Sequence, residues 1–189
     1  PHLEVNRLPN VWYEVVVELG ERYCLAATMP GLPCLLLGRT NDLAWGATYS
    51  FLDGIDSWIE DCRDGRYRRV KKGRDRWVPF RIRTEVIRRK NKPEITLTFH
   101  ENEHGVLDGD PTTPGLYLAT RWASGAGTGA ASLAASFDMF AASDVATGME
   151  HLGRLEPSFN WVLADRHGNI GYQMSGCMPV RRNGWNGLV

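Results

Sequence analysis

The chain has 189 residues, 43% of them hydrophobic and 23% charged, and its 22 Lys and Arg balance its 22 Asp and Glu. That apolar share excludes a disordered chain, and the length suits one domain with a small inserted module. No apolar run approaches the roughly 18 residues of a membrane helix, and no basic start leads into an apolar stretch as in a signal peptide.

The predicted elements begin with strands. Tyr13 to Leu19 is β-rich and stops at Gly20; Tyr23 to Thr28 follows and ends at Pro30-Gly31. Cys34 to Leu37 precedes Gly38, and Leu43 to Tyr49 comes next. Turn residues separate these runs, which predicts an antiparallel meander, and their continuous apolar character predicts a sheet covered on both faces. From about Ser57 to Trp122 the chain turns basic. Arg66 to Lys71, Trp77 to Ile87, Glu94 to Phe99 and Leu116 to Trp122 alternate or carry β-branched residues. Gly73, Asn91-Lys92-Pro93 and Gly109-Asp110-Pro111 mark the turns, which predicts a small β module inserted into the main fold.

Gly125-Ala126-Gly127-Thr128-Gly129 reads as a linker. It lacks the GK[ST] ending of a phosphate loop, and no strand leads cleanly into it. Ala131 to Ala141 has helical composition, with Leu133, Phe137 and Phe140 on one side. Ser143 is the predicted N-cap of a second short helix, Val145 to Leu155. Phe159 to Ala164 is then a strand, Asp165 to Asn169 a hairpin turn, and Ile170 to Met174 the returning strand.

The zero net charge is unevenly spread. Residues 63–92 hold 14 Lys and Arg against Asp64, Asp75 and Glu85, a local charge of +11 offset by −11 elsewhere. Such a stretch can serve nucleic acid or an anionic membrane, with steep salt dependence as the signature. Here the charges alternate with apolar residues, as in Arg81-Ile82-Arg83, and no stacking aromatics are interleaved. That is the pattern of half-buried strands with one solvated face. Cys24, Cys34, Cys62 and Cys177 form no CxxC pair, so a zinc site is not expected. Cys24 and Cys34 sit in apolar segments and read as buried thiols, although the spacing leaves disulfides open.

Periodicity alone reaches only a mixed, mostly antiparallel α+β protein. Five sets of residues go further: Pro1-His2-Leu3; Met29-Pro30-Gly31-Leu32-Pro33; Gly38 through Ala44-Trp45-Gly46-Ala47-Thr48; Asp53-Gly54-Ile55-Asp56; and Asn160-Trp161 through Ala164-Asp165, Gly168-Asn169-Ile170-Gly171-Tyr172, Gly176 and Pro179-Val180-Arg181. In this order they resemble the β-subunit of the penicillin acylase family, the N-terminal nucleophile (Ntn) amidohydrolases. The likeness covers essentially the whole chain. Thr40 departs from it, standing where the family usually has Asn.

The resemblance implies part of an Ntn-hydrolase αββα sandwich, antiparallel sheets with helices. Residues 1–56 and 124–189 would belong to its core, and residues 57–123 would be the inserted β-rich module. It implies amide hydrolysis of EC 3.5.1 type through an acyl-enzyme on an N-terminal Ser, exposed when a precursor cleaves itself. The α-amine of that Ser is then the base for its own hydroxyl. The family's nucleophile lies upstream of its Pro-His-Leu segment. Both ends of this chain read as cut, so the nucleophile is expected outside it and these residues alone are expected to be inactive.

The other site residues carry over one by one. Asn160 matches the Asn whose side-chain amide donates to the tetrahedral oxyanion, a contact worth about 3–4 kcal/mol of barrier. Tyr49 matches the position whose backbone N–H is the second donor. His2 matches the residue beside the nucleophile, where it helps hold the amine or substrate. Arg181 matches an Arg that supports the amine and oxyanion region; a surface charge beside Arg182 is the alternative. Leu3 and Ala47 are candidate contributors to the acyl pocket. Asp53, the Ile55 carbonyl and Asp56 match the ligands of a structural calcium, to which the α-subunit adds another. His104-Gly105 also matches a family pattern, with no chemical role attached.

No organic cofactor is implied. The implied partners are a small-molecule acylated amine, the α-subunit and the remainder of the β-subunit from the same precursor, with neither nucleic acid nor a membrane span. Penicillins, cephalosporins and acyl-homoserine lactones all stay open as substrates. A periplasmic or secreted location follows from the resemblance alone. The competing reading is a non-catalytic binding relative that keeps the fold and has lost the nucleophile.

Overall fold

A computed structural model describes residues 6, 8–125, 127 and 129–181. In chain order the strands are β1 (Tyr13–Leu19), β2 (Arg22–Thr28), β3 (Leu37–Thr40), β4 (Leu43–Tyr49), β5 (Ile55–Arg63), β6 (Arg66–Lys71), β7 (Arg74–Pro79), β8 (Arg81–Arg89), β9 (Lys92–Asn102), β10 (Gly105–Asp108) and β11 (Gly115–Trp122). Helices α1 (Gly129–Asp138) and α2 (Val145–Gly153) follow, then β12 (Phe159–Asp165) and β13 (Ile170–Ser175). The chain divides into two compact units, Pro1–Gly54 with Ser124–Val189, and Ile55–Ala123.

The first unit is built on a six-stranded antiparallel sheet ordered β1-β2-β3-β4-β12-β13. Period-2 alternation decides which side chains enter the core. On β12, Trp161 and Leu163 are buried while Val162 between them is 61% exposed. Trp45 and Leu43 of β4 lie on the same face as Trp161 and pack with Met139, Val145 and Leu152. Helix α2 lies on this face because two glycines let it approach. A Cβ at Gly148 would stand 2.6 Å from Leu43 Cδ2 and 2.7 Å from Leu163 Cδ2. A Cβ at Gly171 on β13 would run into Val145 and Met149. The other face carries Leu25, Val162, Ile170 and Tyr172, all exposed, so the described residues cover one face of the sheet rather than the two expected.

Several local expectations change. The apolar run Cys34–Leu37 is mostly a buried loop, and β3 starts at its last residue. The Leu35 carbonyl accepts from the Trp45 indole at 3.2 Å, a side-chain partner in place of a ladder. On α1 the buried positions are Ser132, Ala135 and Ser136, while Phe137 is 49% exposed. Leu133, Phe137 and Phe140 therefore do not define its packed side. Small residues do, and Ser132 Oγ is spent on the Glu156 amide at 3.0 Å. Helix α2 is capped by Asp144 rather than Ser143. The Asp144 backbone is extended and its carboxylate accepts the Thr147 amide at 2.8 Å.

The second unit is a seven-stranded antiparallel sheet ordered β7-β6-β5-β11-β10-β9-β8. Its small core is Cys62, Tyr67, Phe80, Leu107 and Ala119. The expected strand Trp77–Ile87 is two strands, broken where the Phe80 side chain turns into that core. Pro79, which has no amide hydrogen, ends the first of them. Strand β5 escaped sequence reading because Asp56, Ser57, Glu60 and Asp61 make it look like a loop. Glu60 is nonetheless buried, and its Oε1 accepts Asn102 Nδ2 at 2.7 Å and shares a hydrogen bond with His104 Nδ1 at 2.6 Å. The His104 ring stacks on Trp58. His104 thus has a structural task, pinning the β9–β10 turn to β5. Many of the arginines are paired on the sheet surface: Arg68 with Asp75 at 2.6 Å, Arg69 with Glu103 at 3.0 Å, and Arg83 with Glu101 at 2.8 Å. Cys24, Cys34 and Cys62 are buried free thiols.

Candidate active site

Asn160 is the second residue of β12. It faces Thr48 on β4 and Met174 on β13, so its side chain leaves the sheet on the face opposite Trp161. Its Nδ2 donates to the Tyr49 carbonyl at 3.1 Å. Its Oδ1 accepts the Tyr172 hydroxyl at 2.6 Å. A primary amide has two N–H donors and one of them is used. Among the described residues the second donates to no partner, which leaves it available to an incoming oxygen.

Tyr49 closes β4 opposite Phe159, and the two rings stack at 5.4 Å. The chain leaving β4 is tied to the chain entering β12 through Ser158. Its hydroxyl bonds Ser50 Oγ and accepts the Leu52 amide at 3.0 Å, and its carbonyl accepts the Ser50 amide. Ser158 was not singled out from the sequence. These bonds hold the end of β4 beside the start of β12, where the two candidate oxyanion donors lie.

The hairpin that carries Tyr172 is fixed by Asp165. Its carboxylate accepts Asn169 Nδ2 at 2.9 Å, the His167 and Asn169 amides at 2.9 and 3.0 Å, and the Val145 amide at the start of α2 at 3.2 Å. The Asn169 side chain, with the three backbone amides, pulls the Asp165 carboxyl down to about 2. One carboxylate therefore joins the β12–β13 turn to the helix behind it.

Arg181 Nη2 donates to the Asp53 carbonyl at 3.0 Å and pairs with the Asp53 carboxylate at 3.0 Å. The Arg181 side chain is 16% exposed, so it is not a solvent-facing charge. Ala47 lies opposite Trp161 and packs against the core cluster, on the other face from Asn160. His2 and Leu3 lie outside the described residues. Asp53 belongs to the first unit and Ile55 and Asp56 to the second. Calcium takes about six to eight oxygens. These positions offer two carboxylates and a carbonyl, and the Asp53 carboxylate is already paired with Arg181. They do not by themselves make up a calcium shell. Among the described residues no three His, Cys, Asp or Glu side chains group as metal ligands.

The α+β arrangement is that of an Ntn-hydrolase core. A solved structure, thermostable penicillin G acylase from Alcaligenes faecalis, superposes with a TM-score of 0.82 at 23% identity, over 95% of this chain and 32% of that one. The family model for penicillin amidase matches residues 1–189, and the chain belongs to that family. It is 31% identical to penicillin G acylase from Escherichia coli over 171 residues, 87% of this chain and 19% of that protein. It is 28% identical to acyl-homoserine lactone acylase QuiP from Pseudomonas putida over 158 residues, 83% of this chain and 19% of that protein. The chain thus spans about a fifth of the length of the curated relatives it matches. The family resemblance carried by Pro1-His2-Leu3 through Pro179-Val180-Arg181 is therefore correct. No helix among the described residues is long and apolar enough to cross a membrane.

Proposed function

We propose that these residues form the oxyanion side of an amidohydrolase that cleaves the amide of an N-acylated small molecule. The observation that carries this reading is Asn160, whose amide is held at both ends beside Tyr49 and, among the described residues, has one N–H to spare. The relatives named for penicillin G and for acyl-homoserine lactones support the substrate class.

In the proposed reaction an N-terminal Ser outside this chain attacks the substrate carbonyl carbon. Its proton passes to its own α-amine. Charge developing on the carbonyl oxygen is met by Asn160 Nδ2–H and the Tyr49 N–H. Collapse breaks the C–N bond, the leaving amine takes the proton, and water then releases the acyl group. His2 would steady the amine or substrate, and Arg181 would brace the same region through Asp53. The nucleophile, the α-subunit and the rest of the β-subunit come from the parent precursor, so this chain alone has no activity.

Leu3 and Ala47 are the proposed contributors to acyl binding; an unmoved acyl preference in Ala47→Leu would remove Ala47. The module over 57–123 and a periplasmic or secreted location are parts of the same proposal. So is a structural calcium held by Asp53, Ile55 and Asp56 with further ligands from outside the chain. It takes no part in the reaction, and a thermal midpoint unmoved by chelation would remove it.

The test is to express the full-length precursor and read the masses and N-terminal sequences of its mature chains. A cut that leaves a terminal Ser, Thr or Cys shortly before Pro1 is the expected result. A single uncut chain in a folded protein would overturn the reading in favour of the non-catalytic binding relative.

A further inference from the structure

We infer that Tyr172 is a positioning residue for the oxyanion donor, acting through Asn160 rather than on the substrate. This rests on the oxyanion reading of Asn160 given above. Asn160 pairs with Met174 across the β12–β13 ladder, and Tyr172 stands two residues before Met174 on the same face. Diagonal neighbours on one face of an antiparallel pair are within reach of an aromatic side chain. The Tyr172 hydroxyl spans that diagonal and meets Asn160 Oδ1 at 2.6 Å.

The chemistry of the contact selects one orientation of the amide. A carboxamide is nearly symmetric in shape, and turning it over exchanges oxygen for nitrogen. A turned Asn160 would aim an acceptor at the substrate oxygen and would repel the charge it is meant to stabilise. The Tyr49 carbonyl is the partner that opposes that rotamer. It only accepts, so it requires Nδ2 on its side. With the amide so oriented, the Tyr172 phenol, which can donate or accept, donates to Oδ1 from the other side and holds the side chain in place. Donation to Oδ1 also polarises the amide and strengthens its N–H as a donor. The structure around Tyr172 frees it for this task. The side chain is 56% exposed, so its hydroxyl is not needed to satisfy the core.

The experiment uses the mature, full-length parent enzyme with two probes, a phenylacetyl anilide and an N-octanoyl homoserine lactone. Tyr172→Phe, Asn160→Ala and the double variant are compared for kcat, KM and thermal midpoint. Tyr172→Phe is expected to lower kcat about tenfold with KM unchanged, the loss of one oriented hydrogen bond. Tyr49 still holds the amide, so the loss is smaller than the roughly 10²–10³-fold fall expected for Asn160→Ala. In the Asn160→Ala background Tyr172→Phe is expected to add nothing, and the midpoint stays at the wild-type value.

If Asn160→Ala lowers kcat but Tyr172→Phe does not, the inference fails and the oxyanion reading stands. An equal loss from Tyr172→Phe in both backgrounds, or a loss confined to KM, also overturns it. So does a fallen midpoint with unchanged kcat, which would make the hydroxyl purely structural. If Asn160→Ala leaves kcat unchanged, or neither probe is turned over, the oxyanion reading itself fails and takes the inference with it.

Discussion

Replacing Gly148 with Ala sets two effects of opposite sign against each other. Gly148 is inside α2, where Ala is favoured over Gly by about 1 kcal/mol. On helix propensity alone the variant gains stability. The added methyl, however, would sit 2.6 Å from Leu43 Cδ2 and 2.7 Å from Leu163 Cδ2, with Met139 Cε 3.5 Å away. Ordinary carbon contacts are about 3.5–4.0 Å, so each leucine must retreat by about 1 Å. Neither can do so cheaply, because Leu43 is 2% exposed and Leu163 3%. Overpacking of this kind costs about 1–3 kcal/mol. The expected balance is a net loss of up to about 2 kcal/mol. The assay is urea unfolding followed by tryptophan fluorescence, to which Trp45 and Trp161, both buried in the same core, contribute. The midpoint should fall with an unchanged m-value. A midpoint that rises, as propensity alone requires, would refute the close approach of α2 to the sheet. Gly171→Ala is the control. On β13 its added methyl would stand 2.4 Å from Val145 Cγ1 and 2.8 Å from Met149 Sδ of α2, so it too should lose stability if the helix lies this close.

Asp165→Asn should remove an acid-sensitive part of the stability. The native carboxyl is held at about 2 against an ordinary 3.8, so its contribution is complete above about pH 4 and is lost as pH falls towards 2. Wild type and variant stabilities should therefore converge over that window, and a constant gap between pH 5 and 2 would contradict the bonding drawn around Asp165. Glu60→Ala should destabilise the seven-stranded unit by about 1–3 kcal/mol, since Asn102 and His104 lose their shared acceptor; hydrogen exchange in β9 and β10 is the readout, and unchanged protection there would rule out the pinning role of His104. Cys24 and Cys62 are both pushed up to about 11, chiefly by burial, so neither should react with a thiol reagent at pH 8 until the protein unfolds.

Segments whose identity is local are legible in the order of residues alone. Strands β1, β2, β4, β12 and β13 are legible because β-branched and aromatic runs end at turn residues such as Gly20 and Gly168. The β12–β13 hairpin is legible for the same reason. Short ordered stretches such as Asn160-Trp161 carried the family and pointed to Asn160. What depends on pairing between distant residues is legible only in the folded chain. Strand β5 carries acids that suit a loop, yet it lies between β6 and β11, and partners from β9 and β10 satisfy Glu60. Helix α1 packs by its small residues because burial follows the space the sheet leaves, not the apolarity of Phe137. The same holds at the candidate site. Tyr172 carries no role that its neighbours in sequence reveal, since nothing local links it to a residue 12 positions away. Only the ladder register, with Asn160 opposite Met174, brings its hydroxyl to the amide.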